Sequence, residues 1–194
     1  ADAKQQEPRL FAYFSGDERL LEGYRSDTMD IHDIAAAELG LPRNVAKTFG
    51  LGMLIGMRPK GLASRMRWDI EKARLAYDAF LTNAFPDIAK FQRDVVRTFK
   101  RRKYVKSVLG RRARLSDSKF AHCGVSRVIQ NSAGDHLKTA LLLACEYSDA
   151  HPEFQMLMTI HDSIIWQERV GVDRTELVNL LESVPYRDEF NLDI

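Results

Sequence analysis

An α+β fold, mostly helical, is the class this sequence predicts, and three stretches carry the prediction. Between Gly61 and Phe99, apolar residues recur at every third or fourth position, first in MRWDIEKARLAYDAFLTNAF and again in FPDIAKFQRDVVRTFK, which is the period of an amphipathic helix. SRVIQNSAGDHLKTALLLACEYS repeats that period over a longer span, with Ala133, Leu137, Ala140, Leu141 and Ala144 on one face. FQMLMTIHDSIIWQE is different: two apolar runs flank His161-Asp162-Ser163, the pattern of a hairpin whose buried strands lift a polar tip to the surface.

The 194 residues suffice for one substantial core or two small subdomains, and 45% hydrophobic with 29% charged residues is ordinary for a soluble globular chain. No apolar run approaches the roughly 18 to 20 residues that cross a bilayer, and ADAKQQEPRL has no signal-peptide core, so a cytoplasmic protein without a membrane partner is expected. Cys123 and Cys145 lie far apart, which argues against a disulfide framework or a zinc site and suggests small buried apolar residues. The net charge of +2 is uninformative, but its distribution is not. Nine Lys or Arg and no Asp or Glu fall between Val95 and Ser116, giving either a solvated basic face or a surface for phosphate backbones.

In chain order, Asp27 or Ser26 can cap a helix that ends at AAAELG, with Gly40 as its C-terminal stop and Pro42 as a break. RNVAKTFGLGMLIGM, from Arg43 to Met57, then reads as a helix on which Arg43, Lys47, Leu51 and Ile55 follow one another at four-residue intervals. Two cations therefore precede two apolar residues on one stripe. That order suits a ligand with an anionic tail and a flat apolar head, such as a nucleoside triphosphate; it also suits an amphipathic helix with solvated basic residues. Gly50, Gly52 and Gly56 each cost about 1 kcal/mol against alanine inside a helix, so close packing or movement is expected there. Ala84-Phe85-Pro86 separates the two following helices, in which Met66, Leu75, Phe80, Phe91 and Val95 are read as core.

These stretches, in this order, resemble the DNA polymerase I group, the family A DNA polymerases. The family motif D-x-S-Q-x-E-x-R is matched by Asp2, Gln5, Glu7 and Arg9, with Lys4 in place of the serine and Pro8 in place of the leucine, and Ser15-Gly16-Asp17 follows as S-G-D. Asp30-Ile31-His32 matches D-I-H, and Arg43 with Lys47 matches the nucleotide-binding fingers helix. Lys103-Tyr104-Val105 with Gly110-Arg111-Arg112 resembles G-Y-V…G-R-R; Gln130, Ala133 and Asp135 are kept from Q-G-T-A-A-D; His161-Asp162 is kept from H-D-E, with Ser163 replacing the glutamate. Leu51 and Ile55 stand where the family has aromatic residues, which weakens stacking on the nucleotide and at the templating position.

The resemblance implies a partial polymerase palm, an antiparallel sheet, in residues 1–26 and 117–194, with a helical fingers subdomain inserted at 27–116. It implies template-directed DNA synthesis with two Mg²⁺ ions on Asp2 and Asp162. Catalysis would rest on Asp2, Asp162 and Lys47. Nucleotide binding would fall to Gln5, Glu7, His32, Arg43, Lys47, Leu51 and Ile55, with Glu7 beside the sugar, excluding a 2′-hydroxyl. Arg111, Arg112, Gln130 and His161 would contact DNA, Gln130 in the minor groove. The implied partners are primer-template DNA, dNTPs and an N-terminal polymerase portion with thumb and exonuclease-like regions, on the same or a separate chain. The implied setting is the cytoplasm of a bacterium or a phage-infected cell, phage origin included. A single-subunit phage-type RNA polymerase shares the palm, but carries a small residue at the place of Glu7 and a tyrosine at that of Ile55. A non-catalytic DNA-binding or scaffold fragment of a split polymerase is the alternative from another class.

Overall fold

The computed structural model describes residues 4–26, 28, 30–115 and 117–182. Asp2 and Asp27 lie outside them. Among the described residues the order is α1 (Gln6–Ser15), α2 (Glu18–Arg25), α3 (Ile31–Leu39), α4 (Arg43–Leu54), α5 (Pro59–Met66), α6 (Ile70–Ala79), a π-helical turn (Phe80–Ala84) and α7 (Pro86–Arg102). A short hairpin of β1 (Tyr104–Lys106) and β2 (Arg112–Arg114) leads through a 3₁₀ turn to α8 (Cys123–Ala150), then β3 (Phe154–Ile160), β4 (Ser163–Glu168) and α9 (Thr175–Glu182). No helix of the described residues is long and apolar enough to cross a membrane.

Sequence signals fix most of the boundaries. Asp17 caps α2 by accepting from the Leu20 amide, and Asp69 caps α6 by accepting from that of Lys72. The α3 cap is Asp30 rather than Ser26, which instead closes α2. Asp30 lies in extended backbone and accepts from the amides of both His32 and Asp33. α4 stops at Leu54, a turn earlier than the spacing predicts. Gly56 takes φ +87°, its amide donates to the Met53 carbonyl and that of Met57 to the Gly52 carbonyl, a Schellman ending. A Cβ on Gly56 would also lie 3.3 Å from the His122 carbonyl oxygen. Gly56→Ala is therefore expected to destabilise the fold by about 1–2 kcal/mol, readable as a lower urea midpoint at unchanged slope.

The core of the helical body is aromatic. Phe49 of α4 meets Phe80 at 5.6 Å, Phe80 meets Phe85 at 4.7 Å, and Phe49 also meets Trp68 at 5.8 Å, so one chain of rings joins α4, the segment before α6, the π turn and the start of α7. Phe11 and Phe14 of α1 both pack on Phe91 of α7. The stripe of α8 read from the sequence is the one that packs, with Ala140 and Ala144 buried and Ala133, Leu137 and Leu141 against the core. Leu75 is not core: it is 72% exposed, because α6 turns Ala73 and Ala76 inward and leaves Leu75 on the far side. Cys145 is likewise exposed and Cys123 only half-buried.

β3 and β4 pair antiparallel and join through the two residues His161 and Asp162, with Ile160 opposite Ser163. The hairpin forms as expected, but its strands are not buried. Phe154 and Ile164 are covered, while Leu157, Met158, Ile160 and Ile165 stand exposed.

Candidate active site

The two-residue turn between β3 and β4 determines where the Asp162 carboxylate goes. His161 adopts φ +56°, which tight hairpin turns require of one or both central residues, and both side chains stand exposed at the tip. Across from them is the first turn of α1. A cleft of about 290 Å³ is lined by Gln6 and Glu7 of α1, by Ala133, Gly134 and Leu137 of α8, and by His161 and Asp162. Burial raises the Glu7 carboxyl above its ordinary value, and the Asp162 charge raises it further. Two carboxylates thus repel each other across one small cleft, with hard oxygen donors suited to a divalent cation that would relieve the repulsion. Among the described residues no cluster of three His, Cys, Asp or Glu is placed for metal binding.

α1 is fastened beneath this cleft by a residue the sequence reading passed over. The Gln6 amide group donates to the Ala133 carbonyl at 3.3 Å and lies 2.8 Å from His136 Nδ1, so it bonds a neutral imidazole on α8. Burial pushes the His136 pKa from 6.5 down to about 4. The one signal for it in the sequence is its place on the apolar side of α8. Because the unfolded chain binds the proton more tightly, His136 contributes stability that is complete above pH 6.5 and is lost as pH falls toward 4, on the order of 3 kcal/mol in all. Melting curves at pH 7 and pH 5 are expected to show a smaller acid-induced loss for His136→Gln than for the wild type. Arg9, also buried, ties α1 to α2 by donating to the carbonyls of Lys4 and Tyr24.

The second cluster lies at the start of α3 and α4. The Gln5 amide group donates to Asp30 Oδ2 at 3.0 Å, and Arg43 donates to the same oxygen at 2.6 Å and to Asp33 Oδ1 at 2.6 Å. Burial acts to raise the Asp30 carboxyl, but donors from Asp33, Gln5 and His32 prevail and hold it below the usual carboxylate range. His32 is buried, and its Nδ1 has no hydrogen-bond partner among the described residues. Its pKa is lowered, first by burial and then by Lys47 and Arg43, against the opposing pull of Asp30, so the ring is neutral. Lys47 is exposed and has no ion-pair partner among the described residues.

The stripe on α4 is therefore present, but its two cations differ: Arg43 is engaged by two carboxylates and Lys47 is not. Leu51 is half-buried farther along, and Ile55 is 37% exposed at the helix end. Asp33, which the sequence reading did not single out, is half of the clasp on Arg43.

The third group lies where the β1–β2 hairpin meets α8. Arg111 donates to Asp135 at 2.7 Å and to the Asn131 carbonyl at 2.8 Å, so its guanidinium pins the hairpin to the helix. Arg112 lies over the Tyr104 ring, and Gln130 is exposed on α8. The structure thus brings Glu7, His161 and Asp162 together in the cleft. It gathers Gln5, His32, Arg43 and Lys47 at α3–α4, and the Gln5–Asp30 bond joins that cluster to the start of α1. Arg111, Arg112 and Gln130 form a separate group.

An α1 whose first turn faces an acidic hairpin tip, beside a helical body with a cationic helix start, defines the fold of a polymerase domain. Its likeness to a solved structure is close: the POL domain of Pol1 from M. smegmatis, in complex with DNA primer-template and dNTP, superposes with a TM-score of 0.85 at 23% identity, over all of this chain and 37% of that one. The family model for DNA polymerase family A matches residues 1–184, and the chain belongs to that family. DNA polymerase I of Mycobacterium leprae is 26% identical over 190 residues, covering 88% of this chain and 21% of that protein. DNA polymerase DpoZ of Acinetobacter phage SH-Ab 15497 is 27% identical over 220 residues, covering 100% and 35%. The chain thus spans about a fifth of the length of the bacterial relative.

Proposed function

We propose that this chain supplies the palm and fingers of an enzyme that adds deoxynucleotides to a primer 3′-hydroxyl on a DNA template, with palm in 1–26 and 117–194 and fingers in 27–116. The observation that carries the reading is Asp162, raised on a hairpin tip across a cleft from Glu7, in a chain of this family. Family membership implies a divalent metal, and the oxygen donors of the cleft suit one. Two magnesium ions on Asp162 and Asp2 would lower the pKa of the 3′-hydroxyl and balance charge on the leaving pyrophosphate. Lys47 neutralises the triphosphate, its charge not engaged by any ion-pair partner among the described residues. Neutral His32 offers a ring N–H to a phosphate oxygen. Glu7, half-buried beside the sugar, leaves no room for a 2′-hydroxyl, which favours dNTPs over rNTPs and sets aside the RNA polymerase alternative. The wider partners are primer-template DNA and the remainder of a longer polymerase; the setting is the cytoplasm of a bacterium or of a phage-infected cell.

Primer extension with Mg²⁺ and each dNTP or rNTP, with the chain alone and with an N-terminal polymerase portion added, tests this. Template-directed dNTP addition is expected, with rNTPs admitted by Glu7→Ala roughly a hundredfold more readily. A second reading, a non-catalytic DNA-binding fragment, is favoured by the clasp of Asp30 and Asp33 on Arg43 and by the aliphatic Leu51 and Ile55. DNA binding without nucleotide addition under either condition would decide for it.

A further inference from the structure

The first turn of α1, which presents Glu7 to the cleft, has few backbone bonds of its own. Gln5 precedes it in the left-handed region at φ +52° and gives no side-chain cap. Pro8 has no amide hydrogen, and the Arg9 amide donates back to the Gln5 carbonyl. What anchors the turn is its hold on α8. Gln6 and His136 are 6% and 8% exposed, and the Gln6 amide group meets His136 Nδ1 at 2.8 Å and the Ala133 carbonyl at 3.3 Å.

The receiving stretch of α8 is itself anchored from another side. The Val108 amide donates to Ser132 Oγ at 2.9 Å, and Arg111 bonds Asp135 and the Asn131 carbonyl. Residues 131–136 are thus a bar gripped by the β1–β2 hairpin and by Gln6, and Ala133 and Gly134 of the same bar line the cleft with Glu7. Successive helical residues point about 100° apart. With Gln6 locked onto this bar, the rotation of the turn is set, and Glu7 faces the cleft that Asp162 closes. Neither partner belongs to a matched motif: D-x-S-Q-x-E-x-R leaves the place of Gln6 open, and Q-G-T-A-A-D ends at Asp135, one residue before His136. The polar pair is therefore a choice made by this chain.

We propose that Gln6 and His136 are positioning residues for sugar selection: their buried bond sets the place of Glu7 in the cleft, and with it how strictly a 2′-hydroxyl is rejected. This deepens the DNA-synthesis reading and rests on it. Both residues act through Glu7, so their loss relaxes selection without removing the carboxylate. The effect is therefore smaller than that of Glu7→Ala.

The test is the ratio of kcat/KM for dATP to that for ATP in primer extension opposite thymine. In Gln6→Leu and in His136→Leu the ratio is expected to fall about tenfold, through faster ATP addition, with kcat for dATP within about threefold of the wild type. Gln6→Leu/His136→Leu is expected to fall no further than either single variant, because one bond carries both effects. Leu177→Ala, which removes a buried side chain packed with Phe154 at the far end of β3, is the control for lost stability alone, and melting curves confirm that each variant is folded. A ratio unchanged in both single variants, equally reduced in Leu177→Ala, or reduced in the double variant by the product of the single losses would overturn the proposal. If the wild type extends no primer, the synthesis reading fails, and native-state exchange of the Arg9 amide decides for or against the hold on Glu7. About tenfold faster exchange in each single variant, and not in Leu177→Ala, supports that hold; unchanged exchange overturns it.

Discussion

Replacing Asp162 with asparagine is expected to reduce nucleotide addition roughly a thousandfold or more while leaving the melting midpoint unchanged. The side chain stands exposed at a hairpin tip, with no hydrogen bond among the described residues, so an isosteric change there falls within about 0.5 kcal/mol in stability. The chemical loss is large because the amide oxygen carries no net charge, and a hard divalent cation loses several kcal/mol of charge neutralisation with it. A structural signature accompanies the loss. Asp162 is one of the two causes of the raised Glu7 carboxyl, so the titration of Glu7 in Asp162→Asn is expected to shift toward lower pH, still above ordinary because burial remains. Retained activity in a folded Asp162→Asn protein would remove the hairpin tip from the chemistry.

The second large effect is expected at Lys47. Lys47→Ala should lower kcat/KM for the incoming nucleotide about a hundredfold, the usual loss when one preorganised charge is removed from a developing anion. Arg43, although earlier on the same stripe, is bonded to Asp30 and Asp33 at 2.6 Å each, so a triphosphate has to compete with two carboxylates for it. Asp33→Asn removes one competitor and is expected to lower KM severalfold with kcat little changed. Steady-state kinetics on one primer-template read both. A larger loss for Arg43→Ala than for Lys47→Ala would show that the clasp opens fully on binding.

The elements most legible in the sequence were those with a strict spacing or a distinctive tip. The 3.6 period placed α4, α6, α7 and α8, and two apolar runs around a polar triplet placed the β3–β4 turn at His161 and Asp162. Burial was harder to read. FQMLMTI is apolar at nearly every position, so nothing in it distinguishes the covered side from the exposed one, and Leu157, Met158 and Ile160 emerged exposed. The exposure of Leu75 is not legible either, because the apolar residues around it fit more than one helical stripe. In the candidate site, residue types could be aligned with chemistry, but partners distant in sequence could not. Arg111 and Asp135, 24 residues apart, and Gln6 and His136, 130 apart, meet only through packing. The SDTMD segment offered several capping side chains, and only the fold selected Asp30.

The shared oxygen of Asp30 makes two events at a distance thermodynamically reciprocal. Gln5, at the entrance of α1, and Arg43, at the entrance of α4, bond the same atom, so whatever draws Arg43 away raises the proton affinity of Asp30. A nucleotide engaging Arg43 should therefore take up a fraction of a proton, and acidification through the Asp30 titration should strengthen that engagement by the same free energy. Calorimetric titrations in two buffers of different ionisation enthalpy would give that proton count directly, and its size would measure how far the hold on Arg43 loosens when substrate arrives.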